Sequence, residues 1–338
     1  MLLLLKLVTI FIISFIFIKL IIRYAPILGL VDIPNHRSIH TKVIPRGAGV
    51  GMIFAVILSD LIFYNSTTFS HLWTLVGIFL VFIVGVLDDH RDASPKAKFL
   101  VIFGAVILFY QDNIVIDSLG TIFGYYIELG WFAIPFTMFA VAGFTNALNL
   151  SDGLDGLAGS LSVVILSALC YIGFENNDMF IISLSLSFIA SILAFLWFNW
   201  HPAKIFMGDS GSLTLGVVIS VLSIKALDYI PHTSILFIAA IPIIDTLIVM
   251  IRRKRSGKSI FSPDQTHLHH VFLRFFDANV KKTVILIVMM QLFYSLLGLD
   301  FIDYDYKQRY IIMIFVLILV IFYIILNGML QQQKKKIK

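Results

Sequence analysis

The chain has 338 residues, 59% hydrophobic and only 13% charged, against roughly 25% charged in an ordinary soluble domain, so a water-soluble globule is excluded. A formal net charge of +5 in so apolar a chain reports membrane orientation and anionic lipid or substrate before it reports nucleic acid, which is not an expected partner. The single cysteine, Cys170, leaves neither a disulfide framework nor a thiolate zinc site and argues against redox chemistry.

From the amino terminus, Leu2 to Ile22 is an apolar run followed by Arg23, Tyr24 and Pro26 instead of a small-residue cleavage site, so it reads as a retained anchor. Further hydrophobic runs fall at about 48–64, 72–87, 99–111, 131–147, 157–173, 179–198, 213–227, 234–251, 283–297 and 310–326. A crossing needs about 20 mostly apolar residues, so the shorter runs must borrow flanking polar residues or tilt. The expected fold is an all-α polytopic integral membrane protein of about eleven transmembrane helices, forming one catalytic domain over residues 1–338. Between the fourth and fifth runs, IVIDSLGTIFGYYIELG alternates apolar and polar residues around a glycine and predicts a short β-hairpin at the membrane surface.

Eleven crossings sort the basic residues by face. Arg23, Arg37, Lys42, Arg46, Arg91, Lys96, Lys98, Lys204, Arg252, Arg253, Lys254, Arg255, Lys258, Arg274, Lys281, Lys282, Lys334, Lys335, Lys336 and Lys338 share one side, whereas the other connections hold Lys307 and Arg309. By the positive-inside rule the crowded side is cytoplasmic. That places the amino terminus and the hairpin outside, with the histidine-containing loop (252–282) and the basic tail (327–338) inside.

The polar clusters all fall on that cytoplasmic side, where carboxylates at the mouths of spans need a reason to be there. GVLDDHRDASPKAKF carries Asp88, Asp89 and Asp92, followed by Lys96 and Lys98. A solvated loop with salt bridges explains that segment about as well as a site does. NALNLSDGLDGLAG carries Asn146, Asn149, Asp152 and Asp155 with glycines between them, which permit close approach of backbone to a ligand. Asp152 could cap the helix starting near Gly156, but capping explains one acid and not two amides and two acids.

FNWHPAKIFMGDSGSLTLG then places Asp209 in a Gly-Asp-Ser-Gly turn opening a helix, a natural seat for a metal-bound phosphate. Phe206 offers either a stacking face for a base or an apolar grip on the bundle. In SPDQTHLHH, His267, His269 and His270 lack the further ligands of a tetrahedral zinc site; an anion-binding role beside the basic loop is the preferred reading. Asp245, after Pro242 inside the ninth run, reads as a packed, hydrogen-bonded helix residue. Oxygen ligands without thiolates favour magnesium, held by one or two side chains plus substrate phosphates, with manganese as the alternative ion.

With those residues on the page, the chain resembles the polyprenyl-phosphate N-acetylhexosamine-1-phosphate transferases, the WecA/MraY superfamily of glycosyltransferase family 4. LDDHRD with SPKAK, NALNLSDGLDGL, FMGDSGSLTLG and SPDQTHLHH occur in the family's order over nearly the whole chain, and the opening VDIPNHRSIHTKVIPRGAG looks most like the WbpL branch. The resemblance implies transfer of an N-acetylhexosamine-1-phosphate from a UDP-sugar to undecaprenyl phosphate, releasing UMP and initiating a lipid-linked glycan of O-antigen or lipopolysaccharide type. It implies Asn149 and Asp209 as magnesium ligands, Asp88 and Asp89 near the lipid phosphate, Lys98 as a phosphate-binding lysine, and Asp152 among the catalytic acids. Asp155 and Phe206 would meet the uracil, with Asn146, His267, His269 and His270 bordering the substrate. It leaves a homodimer open.

Three other functions stay in view. One is the MraY-type phospho-N-acetylmuramoyl-pentapeptide transferase. Another is an intramembrane prenyltransferase, because Asp88, Asp89 and Asp92 match an Asp-Asp-x-x-Asp pattern, although a second such motif is missing. The third is a transporter, which would place its carboxylates near the bilayer midplane instead of at one face.

Overall fold

The structure, a computed structural model, describes residues 1–34, 42–63, 69–91, 93–259, 266–303 and 307–337, without the side chains of 303 and 334–337. Asp92, Arg37 and the start of the SPDQTHLHH segment lie outside the described residues. The chain divides into two compact units, Met1–Ser118 with Leu129–Tyr229, and Leu119–Glu128 with Ile230–Lys338.

In the first unit, α1 (Leu2–Leu28) leads through the short paired strands β1 (Val31–Asp32) and β2 (Ile44–Pro45) to α2 (Ala48–Ile62), α3 (Leu72–Arg91) and α4 (Pro95–Gln111). Beyond the hairpin come α5 (Ala133–Ser151), α6 (Leu157–Glu175), α7 (Met179–Asn199) and α8 (Asp209–Ala226). The local signals are ordinary ones. Ser94 caps α4, its hydroxyl accepting the Ala97 N–H at 3.3 Å, with Pro95 in the first turn. Asp178 caps α7 by accepting the N–H groups of Phe180 and Ile181, each at 3.0 Å. Asp112, just past the end of α4, reaches back to α3 and accepts both the N–H and the hydroxyl of Thr74.

The second unit holds the strands β3 (Ser118–Ile122, whose first residue belongs to the first unit) and β4 (Tyr125–Glu128), which pair as a two-stranded sheet. It continues with α9 (Ser234–Ile238), α10 (Ala240–Arg255), α11 (Leu268–Phe275), α12 (Val280–Asp303) and α13 (Gln308–Ile337). The ninth hydrophobic run is thus not one rod. It breaks at Ala239, three residues before Pro242, and the backbone groups freed there are clasped by one side chain. Gln291 Oε1 accepts the Ile241 N–H at 2.9 Å, and its Nε2 donates to the Ile238 carbonyl at 2.8 Å. In hydrocarbon an unpaired backbone group costs several kcal/mol, so the break and its clasp belong together.

Among the described residues, eight helices are long and apolar enough to cross a membrane, and the protein is a multi-pass, all-α membrane protein. The runs expected at 48–64, 99–111 and 234–251 are the short ones, appearing as a 15-residue helix, a 17-residue helix and the broken pair. α8 is the most enclosed of the eight. Three of its hydroxyls are satisfied internally, Ser212, Thr214 and Ser220 each donating to the carbonyl four residues earlier. Small residues let neighbours close on it: a Cβ at Gly216 would lie 2.6 Å from Thr145 Cα of α5. Lys6 of α1, buried in this unit, pairs with Asp60 of α2 at 2.5 Å and donates to Ser183 of α7 at 3.0 Å. Removing one partner of such a pair costs about 3–5 kcal/mol.

Candidate active site

Asp209 is the first residue of α8, and three helices bring side chains to it. From α5, Asn149 Nδ2 donates to Asp209 Oδ1 at 3.1 Å and to Ser212 Oγ at 2.8 Å. From α4, Lys98 Nζ forms ion pairs with Asp209 and, at 2.8 Å, with Asp88 Oδ2 at the end of α3. The neighbouring acid on α3 does something else. Successive helical residues point about 100° apart, and Asp89 turns inward, where its two oxygens accept the N–H groups of Asp209 at 2.7 Å and Ser210 at 3.1 Å. It is 3% exposed and sits at the amino end of α8, the pole at which a carboxylate is favoured.

The backbone is shaped for this capture. Gly208 has φ +76°, and a Cβ there would lie 2.6 Å from both Asp89 carboxylate oxygens. One turn back on α3, a Cβ at Gly85 would come within 2.6 Å of the Asp209 carbonyl, so α3 lies directly against the turn. The segment before Gly208 is tied to the connection between α1 and α2: Phe206 N–H donates to the Pro45 carbonyl at 2.8 Å, and Gly49 N–H to the Met207 carbonyl at 3.0 Å. Those bonds fix the half-buried Phe206 beside the Asp209 turn.

Asp152, in the connection between α5 and α6, keeps part of its surface accessible, yet its carboxyl is held well above the usual range by burial, then by the negative charges of Asp209, Asp89 and Asp155. Five acids, Asp88, Asp89, Asp152, Asp155 and Asp209, therefore act on one another here, with Lys98 paired to Asp88 and Asp209. Asp152 does not cap α6. Gly156 occupies the cap position without a side-chain bond, and its N–H goes to Asn199 Oδ1 at 2.7 Å. The glycines of this motif serve packing: a Cβ at Gly156 would meet the Trp200 ring at 3.0 Å, and one at Gly159 would meet Leu196 at 2.9 Å. Asn146 lies one turn before Asn149 on α5. Asp155 Oδ2 accepts the Ala203 N–H at 3.0 Å and bonds His201 Nδ1 at 2.6 Å.

The donor set around Asp209 fits a hard divalent cation. The carboxylates of Asp209 and Asp88, the Asn149 amide and the Ser212 hydroxyl are gathered, and neither thiolate nor imidazole is among them in the described residues. Among the described residues no group of three or more His, Cys, Asp or Glu could hold a metal by itself. Magnesium takes one or two protein ligands and fills its remaining positions with water and substrate phosphate.

The histidines belong to the second unit. His267 Nδ1 bonds Asp245 Oδ2 at 3.0 Å, and Asp245 Oδ1 accepts the Leu268 N–H at 2.7 Å, so Asp245 is the packed, hydrogen-bonded residue its sequence setting suggests. The His267 and His269 rings stack at 5.8 Å, with His270 4.2 Å beyond His269. Burial, and then the adjacent His270, push His269 down to about 3. Its ring is neutral at physiological pH, so contact with a phosphate would use hydrogen bonding and not charge.

Sequence reading alone did not single out His201, Asn199 or the Lys6–Asp60 pair. For Asn199 and the Lys6–Asp60 pair the signal existed as a polar or charged residue in or at the end of an apolar stretch; His201 had no such local mark. The partner was not legible.

A family model described as glycosyl transferase family 4 matches residues 71–227, which include Asp88, Asp89, Lys98, Asn149, Asp152, Asp155 and Asp209. The chain is 38% identical over 283 residues to a probable undecaprenyl-phosphate N-acetylglucosaminyl 1-phosphate transferase of Bacillus subtilis (strain 168), covering 81% of this chain and 78% of that protein. It is 33% identical over 279 residues to an undecaprenyl-phosphate alpha-N-acetylglucosaminyl 1-phosphate transferase of Yersinia pestis (80% and 76% covered). The protein of the same description from Salmonella typhi is 36% identical over 283 residues, with the same coverage.

Proposed function

The chain belongs to glycosyl transferase family 4, with the undecaprenyl-phosphate N-acetylglucosaminyl 1-phosphate transferases among its relatives, and we propose that it moves N-acetylglucosamine-1-phosphate from a UDP-sugar onto undecaprenyl phosphate. In that reaction an oxygen of the lipid phosphate forms a bond to the β-phosphorus of the nucleotide sugar. The bond from that phosphorus to the bridging oxygen breaks, and UMP leaves with the oxygen. The product is an undecaprenyl-diphosphate sugar, the starting lipid of a cell-surface glycan such as an O-antigen.

One observation carries the reading: Asp88, Lys98, Asn149 and Asp209, from four separate helices, meet in one hydrogen-bonded cluster at helix ends. Asn149 and Asp209 supply the oxygens that would hold magnesium. When bound, magnesium would neutralise charge on the diphosphate and on the departing UMP. Lys98 brings a cation to the place where two anionic phosphates must approach each other, and Asp88 fixes the lysine's direction. A phosphate monoester has its second pKa near about 6, so the lipid phosphate is already largely a dianion at neutral pH. Asp88 therefore serves as an orienting group, and no strong base is required. Positioning and charge neutralisation supply the rate.

The basic residues crowded on the side of these helix ends support a cytoplasmic site, where nucleotide sugars are found. The reading is tested with purified, detergent-solubilised protein given UDP-N-acetylglucosamine, undecaprenyl phosphate and magnesium. UMP release is expected, lost on chelation and lost in Asp209→Ala even at excess magnesium. Release of inorganic diphosphate in place of UMP, or solute uptake by proteoliposomes without UMP, would overturn it in favour of prenyl transfer or transport.

A further inference from the structure

Asp155 is an acid with one oxygen committed and one available. Its Oδ2 bonds both His201 Nδ1 at 2.6 Å and the Ala203 N–H at 3.0 Å, whereas Oδ1 makes no hydrogen bond among the described residues. The loop carrying His201 is itself braced. Asn199, two residues earlier, accepts the Gly156 N–H at 2.7 Å and donates its Nδ2 to the Ile205 carbonyl at 2.8 Å. The Asp155–Gly156 turn and the 199–205 loop are thereby stitched together by three hydrogen bonds, a fourth braces the loop internally, and the same loop runs on through Phe206 to Asp209.

We propose that His201 is a positioning residue for the nucleobase of the nucleotide donor, acting through Asp155. The proposal rests on the reading above in which Asp155 faces the uracil. A carboxylate torsion is broad and roughly two-fold, so an unbraced Asp155 could offer either oxygen in many directions. Two donors on Oδ2 remove that freedom. With Asp155 ionised, the ring proton sits on Nδ1, which fixes the tautomer and aims the carboxylate as one rigid unit. The acceptor left over, Oδ1, suits a group with a single N–H donor between two carbonyls. That is the imide edge of uracil, and a cytosine edge, with no N–H at the same ring position, does not match it. Phe206 follows Ile205 in the same loop, its backbone N–H held by the Pro45 carbonyl, and an aromatic ring is the kind of flat face on which a base stacks.

The test compares three substitutions at one position, with steady-state constants measured for UDP-N-acetylglucosamine and for undecaprenyl phosphate, and a melting curve for each variant. His201→Ala is expected to raise KM for the UDP-sugar about tenfold, as expected for partial loss of a hydrogen bond to a charged group. Its kcat should stay within about twofold of wild type, and KM for the lipid phosphate should not move. His201→Asn places an amide N–H where Nδ1–H was and should recover most of the loss. His201→Gln mimics the far nitrogen and should not. Unchanged KM in His201→Ala, or equal losses in all three variants, would overturn the proposal and leave His201 a plain packing residue. Asp155→Asn separates the two layers. If it leaves KM for the UDP-sugar unchanged, the nucleobase reading of Asp155 fails and the proposal falls with it; if it raises that KM while His201→Ala stays at the wild-type value, only the role of His201 fails.

Discussion

The strongest structural claim at the site concerns Asp89, because its geometry separates two adjacent carboxylates into different jobs. Replacing Asp89 with Asn keeps the shape and one acceptor oxygen but turns an NH2 group toward one of the two backbone N–H groups at the start of α8. One hydrogen bond to a charged acceptor is lost, about 1.5–3 kcal/mol. The attraction between carboxylate and helix terminus goes too, up to about 2 kcal/mol when partly buried. Relief from burying the charge offsets part of this, leaving a net loss of about 2–4 kcal/mol. Asp88→Asn weakens a single ion pair to Lys98, which still holds Asp209, and should cost less than about 1 kcal/mol. The assay is unfolding in mixed micelles followed by tryptophan fluorescence, alongside UMP release. Asp89→Asn should unfold earlier and lose activity because the Asp209 turn shifts. Asp88→Asn should keep its stability while turnover falls. Equal stability of Asp89→Asn and wild type, or equal destabilisation by the two substitutions, would refute the division of labour.

Other consequences follow from the same geometry. Lys98→Met leaves Asp88 and Asp209 facing each other without their shared cation, so turnover should drop by at least tenfold, with Lys98→Arg recovering part of it; wild-type turnover in Lys98→Met would count against the phosphate-facing role. Gly208→Ala combines a positive φ with a Cβ only 2.6 Å from the Asp89 oxygens, so it should destabilise the protein by about 1–3 kcal/mol and abolish activity, which a melting curve with UMP release would check. The third concerns acid. His269 is neutral when folded, down to about pH 3, against an ordinary 6.5, so the unfolded chain takes up a proton that the folded one refuses. Stability is whole above about pH 6.5 and falls as the pH drops toward 3, by at most about 1.4 kcal/mol per pH unit. In His269→Gln that slope should shrink; an unchanged acid profile would show that another group sets it.

How far the sequence alone reaches is set by whether a signal is local. Helices across a membrane are forced by the need to pair every backbone group inside the segment, and apolar runs mark the eight long ones well; the short runs at 48–64 and 99–111 are helical too. Caps made within a few residues, such as Ser94 and Asp178, are equally readable. The Asp209 turn and Asn149 stand out because four ordered motifs share one chemistry, and the structure does bring those two side chains into contact. Asp89 was legible as an acid but not as a cap, because the helix it caps begins 120 residues later. Asp152 showed the opposite failure. Local logic allowed it a capping role at the α6 terminus, whereas α6 has no side-chain cap and the Gly156 N–H there goes to Asn199 from across the loop.

The polar residues set inside apolar runs share a single logic. Lys6, Asp60, Asn199, Asp245 and Gln291 each stand where an unpaired group would be costly, and each has a partner distant in sequence: Lys6 with Asp60, Asn199 with Gly156, Asp245 with His267 and Leu268, Gln291 with the broken turn at Ala239. A lone polar residue in hydrocarbon thus announces that a pairing exists without naming the other member. The two halves of a pair carry different information. In the Asp155–His201 pair the acid lies in a motif dense with acids and amides and was noticed, while the histidine sits between Trp200 and Pro202 with nothing local to mark it. Substrate-facing groups cluster in sequence because one loop presents several of them, whereas the residues that aim them come from wherever the fold passes closest. Residues that act through others are therefore found by asking which oxygen of a site acid is already taken.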